Sequence, residues 1–138
     1  MKNLSLIIVT LVLLTFGCVT TEQPTKINYY VVHAGKEFSK PLRGARVFNS
    51  EAEYRDFLMA RAIKAHDMFN NFDFTTKSML VVYLGKKGED GYGLKIKSIE
   101  SGSEIIVRAT ETAPAESDAP QFFIGINKTD KKAKLIIE

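Results

Sequence analysis

The chain has one cysteine, Cys18, and two histidines, His33 and His66, in 138 residues. A lone cysteine closes no internal disulfide. Two histidines with no Asp, Glu or Cys at ligand spacing offer no zinc set. Neither a Gly-x-Ser-x-Gly nucleophile elbow nor a His-Glu-x-x-His helix occurs. An excess of one charge is missing too: 19 basic against 16 acidic residues leave +3, too little to point to nucleic acid. The glycine-rich stretch Gly85-Lys86-Lys87-Gly88-Glu89-Asp90-Gly91 lacks the Gly-Lys-Ser/Thr that opens a P-loop helix. Its Glu89 and Asp90 lack the remaining oxygens of a calcium site. These absences predict a protein that is not an enzyme and carries no metal or cofactor. At 45% hydrophobic and 25% charged, the composition excludes disorder, collagen and coiled coil.

Long hydrophobic runs are equally scarce, and the longest stands at the N-terminus. Residues 4–16 are apolar apart from Ser5, Thr10 and Thr15, and Lys2 precedes them. About 13 residues at ~1.5 Å each reach roughly 20 Å, short of a ~30 Å hydrocarbon core. The run therefore reads as the h-region of a secretory signal over residues 1–17. It ends at Gly17-Cys18, and Leu14-Thr15-Phe16-Gly17-Cys18 resembles a bacterial lipobox, in which the cysteine is lipidated. Two or more acyl chains on Cys18 hold a protein on a bilayer where one does not. The alternative is a plain secreted protein with an incidental free cysteine. Residues 18–26 read as a polar tether.

Residues 27–138 read as a single domain, long enough to bury a core without staples. Ile27, Tyr29 and Val31 alternate with Asn28, Tyr30 and Val32, which predicts a strand. Asn49-Ser50-Glu51-Ala52-Glu53 is a capping box. After it Tyr54, Leu58, Ala62, Ala65 and Phe69, with Phe57 beside them, make one apolar helical stripe. From Thr75 the period changes. Residues 79–84 form a continuous apolar run, consistent with a central strand covered on both faces, and alternating strands follow around 94–97, 104–110, 122–126 and 134–138. Turns fall at 85–91, 100–103, 112–120 and 128–132. The predicted fold is α+β: an antiparallel β-meander of about five to six strands with one main helix packed on it. In such a meander the 85–91 turn and the 112–120 loop emerge from the same end of the sheet, a position where binding residues are commonly displayed.

Ser78-Met79-Leu80-Val81-Val82-Tyr83-Leu84-Gly85, followed by Gly91-Tyr92-Gly93-Leu94-Lys95-Ile96-Lys97-Ser98-Ile99, resembles the C-terminal domain family of the protease complex subunit PrcB. The likeness continues through Ile106-Val107-Arg108, Thr112-Ala113-Pro114 and Pro120, and spans about residues 74–138. Asp90 stands where the family has the first glycine of a Gly-Gly-Tyr turn. The resemblance implies a lipoprotein of the bacterial cell envelope, periplasmic or surface-exposed, that stabilises or regulates a surface or secreted protease. Gly88, Gly91, Tyr92, Pro114 and Pro120 are then the partner-binding candidates, with Tyr92 as an aromatic anchor. For Tyr92 the alternative is core or cross-strand packing, and for Gly91 a turn that needs positive φ. A small-ligand binder or a purely structural envelope lipoprotein are the other functional readings. The anchor is directly testable: Cys18→Ser should move the protein from the membrane pellet to the soluble fraction, and continued membrane retention would refute acylation at Cys18.

Overall fold

Ser50 starts the first helix as its position in the capping box predicts. Its Oγ accepts from the Glu53 amide at 3.3 Å, and α1 (Glu51–Ala60) follows. Glu51 and Glu53 sit in the first turn, where the helix dipole favours acidic groups. Arg55 donates back to Glu51 at 2.7 Å, an i,i+4 pair. Tyr54, Phe57 and Leu58 turn to the protein, and Arg55, Asp56 and Met59 to solvent. The computed structural model describes residues 22–36, 42–61 and 71–138. The signal segment, Cys18, His66 and the stripe positions Ala62, Ala65 and Phe69 lie outside the described residues.

The remaining elements are strands: β1 (Thr25–Lys26), β2 (Tyr30–Gly35), β3 (Gly44–Phe48), β4 (Lys77–Tyr83), β5 (Gly93–Ser101), β6 (Ile105–Thr112), β7 (Gln121–Asn127) and β8 (Ala133–Ile137). A four-residue helix, α2 (Lys86–Glu89), lies between β4 and β5. The molecule is mostly β. Here the structure corrects the predicted meander of five to six strands. Among the described residues eight strands form two four-stranded sheets, ordered β2-β7-β4-β3 and β1-β5-β6-β8, and β6 pairs with β8 in parallel.

The physical reason lies in β4 and β7, which are apolar on both faces. Met79, Val81, Tyr83 and Phe123 point to one side, where Phe48 of β3 and Tyr54, Phe57 and Leu58 of α1 complete an aromatic-rich cluster. Phe48 and Phe57 meet there with ring centroids 4.6 Å apart. Leu80, Val82, Ile124 and Ile126 point to the other side and pack on Leu94, Ile99, Ile105, Val107 and Ala109 of the second sheet. One sheet with one helix would leave that second face wet. At ~25 cal/mol per Å² of apolar surface, exposing a face of this size is far costlier than splitting the strands between two layers.

The second sheet buries one face only, and its strands alternate accordingly. In β6, Ile105, Val107 and Ala109 are buried while Ile106, Arg108 and Thr110 are half-exposed. In β5 a bulge falls between Ile96 and Ser98, so Lys97 takes no partner in the register. The extra residue resets the phase and brings Leu94, Ile96 and Ile99 to the same core. On the outer face Arg108 bridges Glu100 at 3.2 Å and Glu138 at 3.2 Å, and Lys97 reaches Glu138 at 3.3 Å. Hydrogen bonds to these partners, Ser98 first for Glu100 and Lys97 first for Glu138, hold both carboxyls below the ordinary range.

Polar groups lock the end of the molecule where β4 begins. Asp73 accepts from the Thr75 and Thr76 hydroxyls and from the Thr75 amide. Those bonds, Thr75's first, pull its carboxyl down to about 2. Ser78, fully buried at the start of β4, donates to Asn49 Oδ1 at 2.5 Å and accepts from the Thr129 amide at 3.0 Å. One hydroxyl thus ties the cap of α1 to the β7–β8 connection. Ser78→Ala would leave an amide and a carboxamide oxygen without this partner, so it should destabilise the protein by about 1–3 kcal/mol in denaturant titration. A loss below ~0.5 kcal/mol would show that the latch contributes nothing.

Candidate functional site

Both connections predicted to share one end do so, although each crosses between sheets instead of joining neighbours within one. Residues 84–92 lead from the end of β4 to the start of β5. Residues 113–120 lead from the end of β6 to the start of β7. Tyr83 pairs with Gln121 across β4–β7, and Gly93 pairs with Thr112 across β5–β6. The four strand ends, and therefore both connections, sit at one pole.

The connections are joined by backbone bonds and by close contacts at glycine. The Leu84 amide donates to the Pro120 carbonyl at 2.9 Å, and the Leu94 amide to the Ala119 carbonyl at 2.9 Å. A Cβ on Gly88 would stand 2.5 Å from the Pro120 ring, and one on Gly93 2.3 Å from the Asp118 carbonyl oxygen. Gly91 has φ +89° and lies against Pro114. Gly88 and Gly91 thus meet Pro120 and Pro114 respectively, and four of the five sequence-predicted residues form two interlocking glycine–proline contacts.

The fifth, Tyr92, is half-buried with its ring against the inter-sheet core. Its amide bonds to the Lys87 carbonyl at 3.0 Å, and the Lys87 ammonium sits 5.4 Å from its ring centre, within cation–π reach. Lys87 also pairs with Glu111 at 2.5 Å. Tyr92 caps the core at this pole, which is the packing alternative raised for it. Pro120 is buried and Pro114 exposed. The exposed surface of the pole is made by Lys86, Lys87, Glu89 and Asp90 on one connection and residues 113–117 on the other.

Sequence reasoning missed Gln121. It opens β7 between Tyr83 of β4 and Gly35 of β2, is fully buried, and neither its amide nitrogen nor its oxygen has a hydrogen-bond partner. It lines a cavity of about 170 Å³ together with Lys36, Tyr83, Gly85, Gly88 and Glu89. Burial pushes the Tyr83 phenol above its ordinary value, against the opposing pull of the Arg61 and Arg46 charges. The available signal was alternation: Gln121 shares the parity of Phe123, which is inward once β7 is known to be covered on both faces. The Thr112 hydroxyl, at the end of β6, is also buried without a hydrogen-bond partner at this pole. Among the described residues no three His, Cys, Asp or Glu side chains converge as a metal site would require.

Comparison of the chain with family models, curated proteins and solved structures returns no match.

Gly85 is the hinge that lets residues 84–92 leave β4. Its φ is +80°, and a Cβ there would fall 1.9 Å from the Leu42 carbonyl oxygen. Gly85→Ala combines left-handed backbone strain with a backbone clash and should cost at least ~2 kcal/mol by denaturant midpoint. A variant as stable as the parent would mean that this pole is not held as described.

Proposed function

We propose that the chain is a lipid-anchored, non-enzymatic α+β module of the bacterial cell envelope that binds a protein partner, a surface or secreted protease, through the pole built from residues 84–92 and 113–120. The observation that carries this reading is the mutual locking of the two connections. Loops held by backbone bonds and glycine–proline contacts present a preorganised surface, which lowers the ordering cost of association. The resemblance of residues 74–138 to the PrcB C-terminal family supports a protease as the partner and stabilisation or regulation as the outcome.

The direction of entry into the domain supports the same reading. Thr25 and Lys26, at the end of the stretch read as a tether, form β1 and pair with Ser101 and Glu100. Ser101 is the far end of β5 from Gly93, and the eight steps between the ends of that nine-residue strand, at ~3.3 Å each, separate the poles by roughly 26 Å. A chain acylated at Cys18 would enter at the pole opposite the locked connections and leave them facing away from the bilayer. Charges of both signs on the presented surface give no net attraction to anionic lipid and suit a protein surface of mixed charge.

The test uses detergent-solubilised full-length protein captured from its own membranes, with co-purifying proteolytic activity as readout. Ala115→Glu combined with Ser117→Glu alters exposed positions outside the glycine–proline contacts and should reduce that activity at least tenfold, with an unchanged circular dichroism spectrum. Undiminished activity in the double variant would overturn the assignment of this pole.

A further inference from the structure

We infer that the edge carrying Tyr29, Tyr30 and Val31 rests in the headgroup region of the bilayer and sets how the domain stands on the membrane. The inference rests on the reading of Cys18 as an acylated anchor and adds the surface by which the domain meets the lipid. Tyr29, Tyr30 and Val31 are 39%, 49% and 48% exposed. The other exposed large apolar side chains among the described residues, Leu42 and Met59, are isolated in sequence, and scattered ones are ordinary. Three in succession are not. β2 is the outermost strand of its sheet, and among the described residues no strand pairs with its outer side. The Tyr30 ring lies over Gly125, where a Cβ would come within 2.2 Å of it. Val31, next along the strand, takes the other face. The apolar groups therefore straddle a free edge.

Position decides what covers that edge. Tyr30 pairs with Gly125, two residues short of the end of β7 at Asn127, so the edge begins within ~7 Å of the pole where the chain enters. Thr25, the first residue paired to a sheet, is seven residue steps from Cys18. A fully extended chain covers at most ~25 Å in that span. An acyl anchor at Cys18 holds the edge beside the headgroups, which gives the bilayer an effective concentration there that a free partner lacks. Composition matches the same occupant. Residues 23–36 contain Lys26 and Lys36 and no Asp or Glu, so this segment presses no carboxylate against lipid phosphates. Tyrosine joins an apolar ring to a polar tip, and side chains of that kind collect where hydrocarbon meets water. Contact at this edge leaves residues 84–92 and 113–120 at the far end of the molecule.

The test takes 15N-labelled protein, expressed from the full chain and purified from its own membranes, into nanodiscs of phosphatidylcholine and phosphatidylglycerol doped with a gadolinium-chelate lipid. Ser103 and Glu104 are the internal reference, since the β5–β6 turn lies beside β1 at the same pole but belongs to the other sheet. Amide relaxation enhancement at residues 28–31 should be at least threefold that at 103–104, and residues 113–117 should show the least. Tyr29→Ser combined with Val31→Ser should bring 28–31 down to the value at 103–104 with the protein still in the disc. If that variant does not fold, the wild-type ratio decides alone. Equal enhancement at 28–31 and 103–104 in the wild type describes a domain tumbling on its tether, and overturns the inference while the anchor stands. Protein absent from the membrane fraction at the outset refutes the anchor, and the inference with it. Shifts at 28–31 that follow protein concentration in lipid-free micelles, without enhancement in the disc, assign the edge to pairing between copies and overturn the inference as well.

Discussion

The fold depends on one constraint: the central strands β4 and β7 are apolar on both faces and must be covered twice. From Met79 to Leu84 no residue is exposed. A strand like this cannot lie at the surface of a two-layer protein, since one face would return to water whatever the other packs on. The chain meets the requirement with two different covers, a helix bearing Tyr54, Phe57 and Leu58 on one side and a second sheet on the other. The aromatic side is built from rings at 4.6–6.3 Å, and the inter-sheet side from aliphatic side chains. Each cover matches its neighbour in kind as well as in extent.

Covering β4 with a sheet drawn from the same chain determines where the connections run. After Tyr83 the chain must leave the first sheet, build the β5–β6 hairpin in the second, and return as β7 beside β4. Departure and return occur at the same pole, so two crossovers meet there and compete for the same space. Glycine resolves that competition at Gly88 and Gly93, where a single Cβ would stand within 2.5 Å of the opposing connection. Proline supplies the opposing surface at 114 and 120 and needs no backbone donor to do so. The locked pole is therefore a consequence of the two-sided core and not an independent embellishment.

Much of this is legible in the residues. The cap at Ser50, the apolar run of β4, the alternation of β6 and the turns near 102 and 130 are all local signals, and the structure shows each where its pattern puts it. Pairing is a different matter. Alternation states which face of a strand is apolar but is silent on which sheet it joins, so β5 and β6 read as successors of β4 when they belong to the opposite layer. The parallel partnership of β6 and β8 is invisible for the same reason, because Leu135 and Ile137 point inward in either direction. The bulge at Lys97 disguises itself as ordinary alternation up to Ile96. The pole of the two connections was nevertheless legible, since an even number of strand reversals brings residues 85–91 and 112–120 to one end in a meander and in the two-sheet fold alike. Gln121 was not, because a polar residue at a strand's first position looks like the end of a loop until the neighbouring strands close over it.

Polar satisfaction separates that residue from the rest of the core. Ser78 and Ser98 are also buried, and each has its partners: Asn49 and Thr129 for the first, Glu100 for the second. At the pole where β4 begins, the chain spends polar groups on closure. At the opposite pole it leaves the Gln121 amide and the Thr112 hydroxyl unmatched, although an aliphatic side chain beside Tyr83 and Phe123 would avoid a penalty of about 1–3 kcal/mol. Natural sequences violate local consistency chiefly where function demands it. Both groups lie at the end where the two crossovers interlock, beside a cavity lined in part by Gly85 and Gly88 and far from β1.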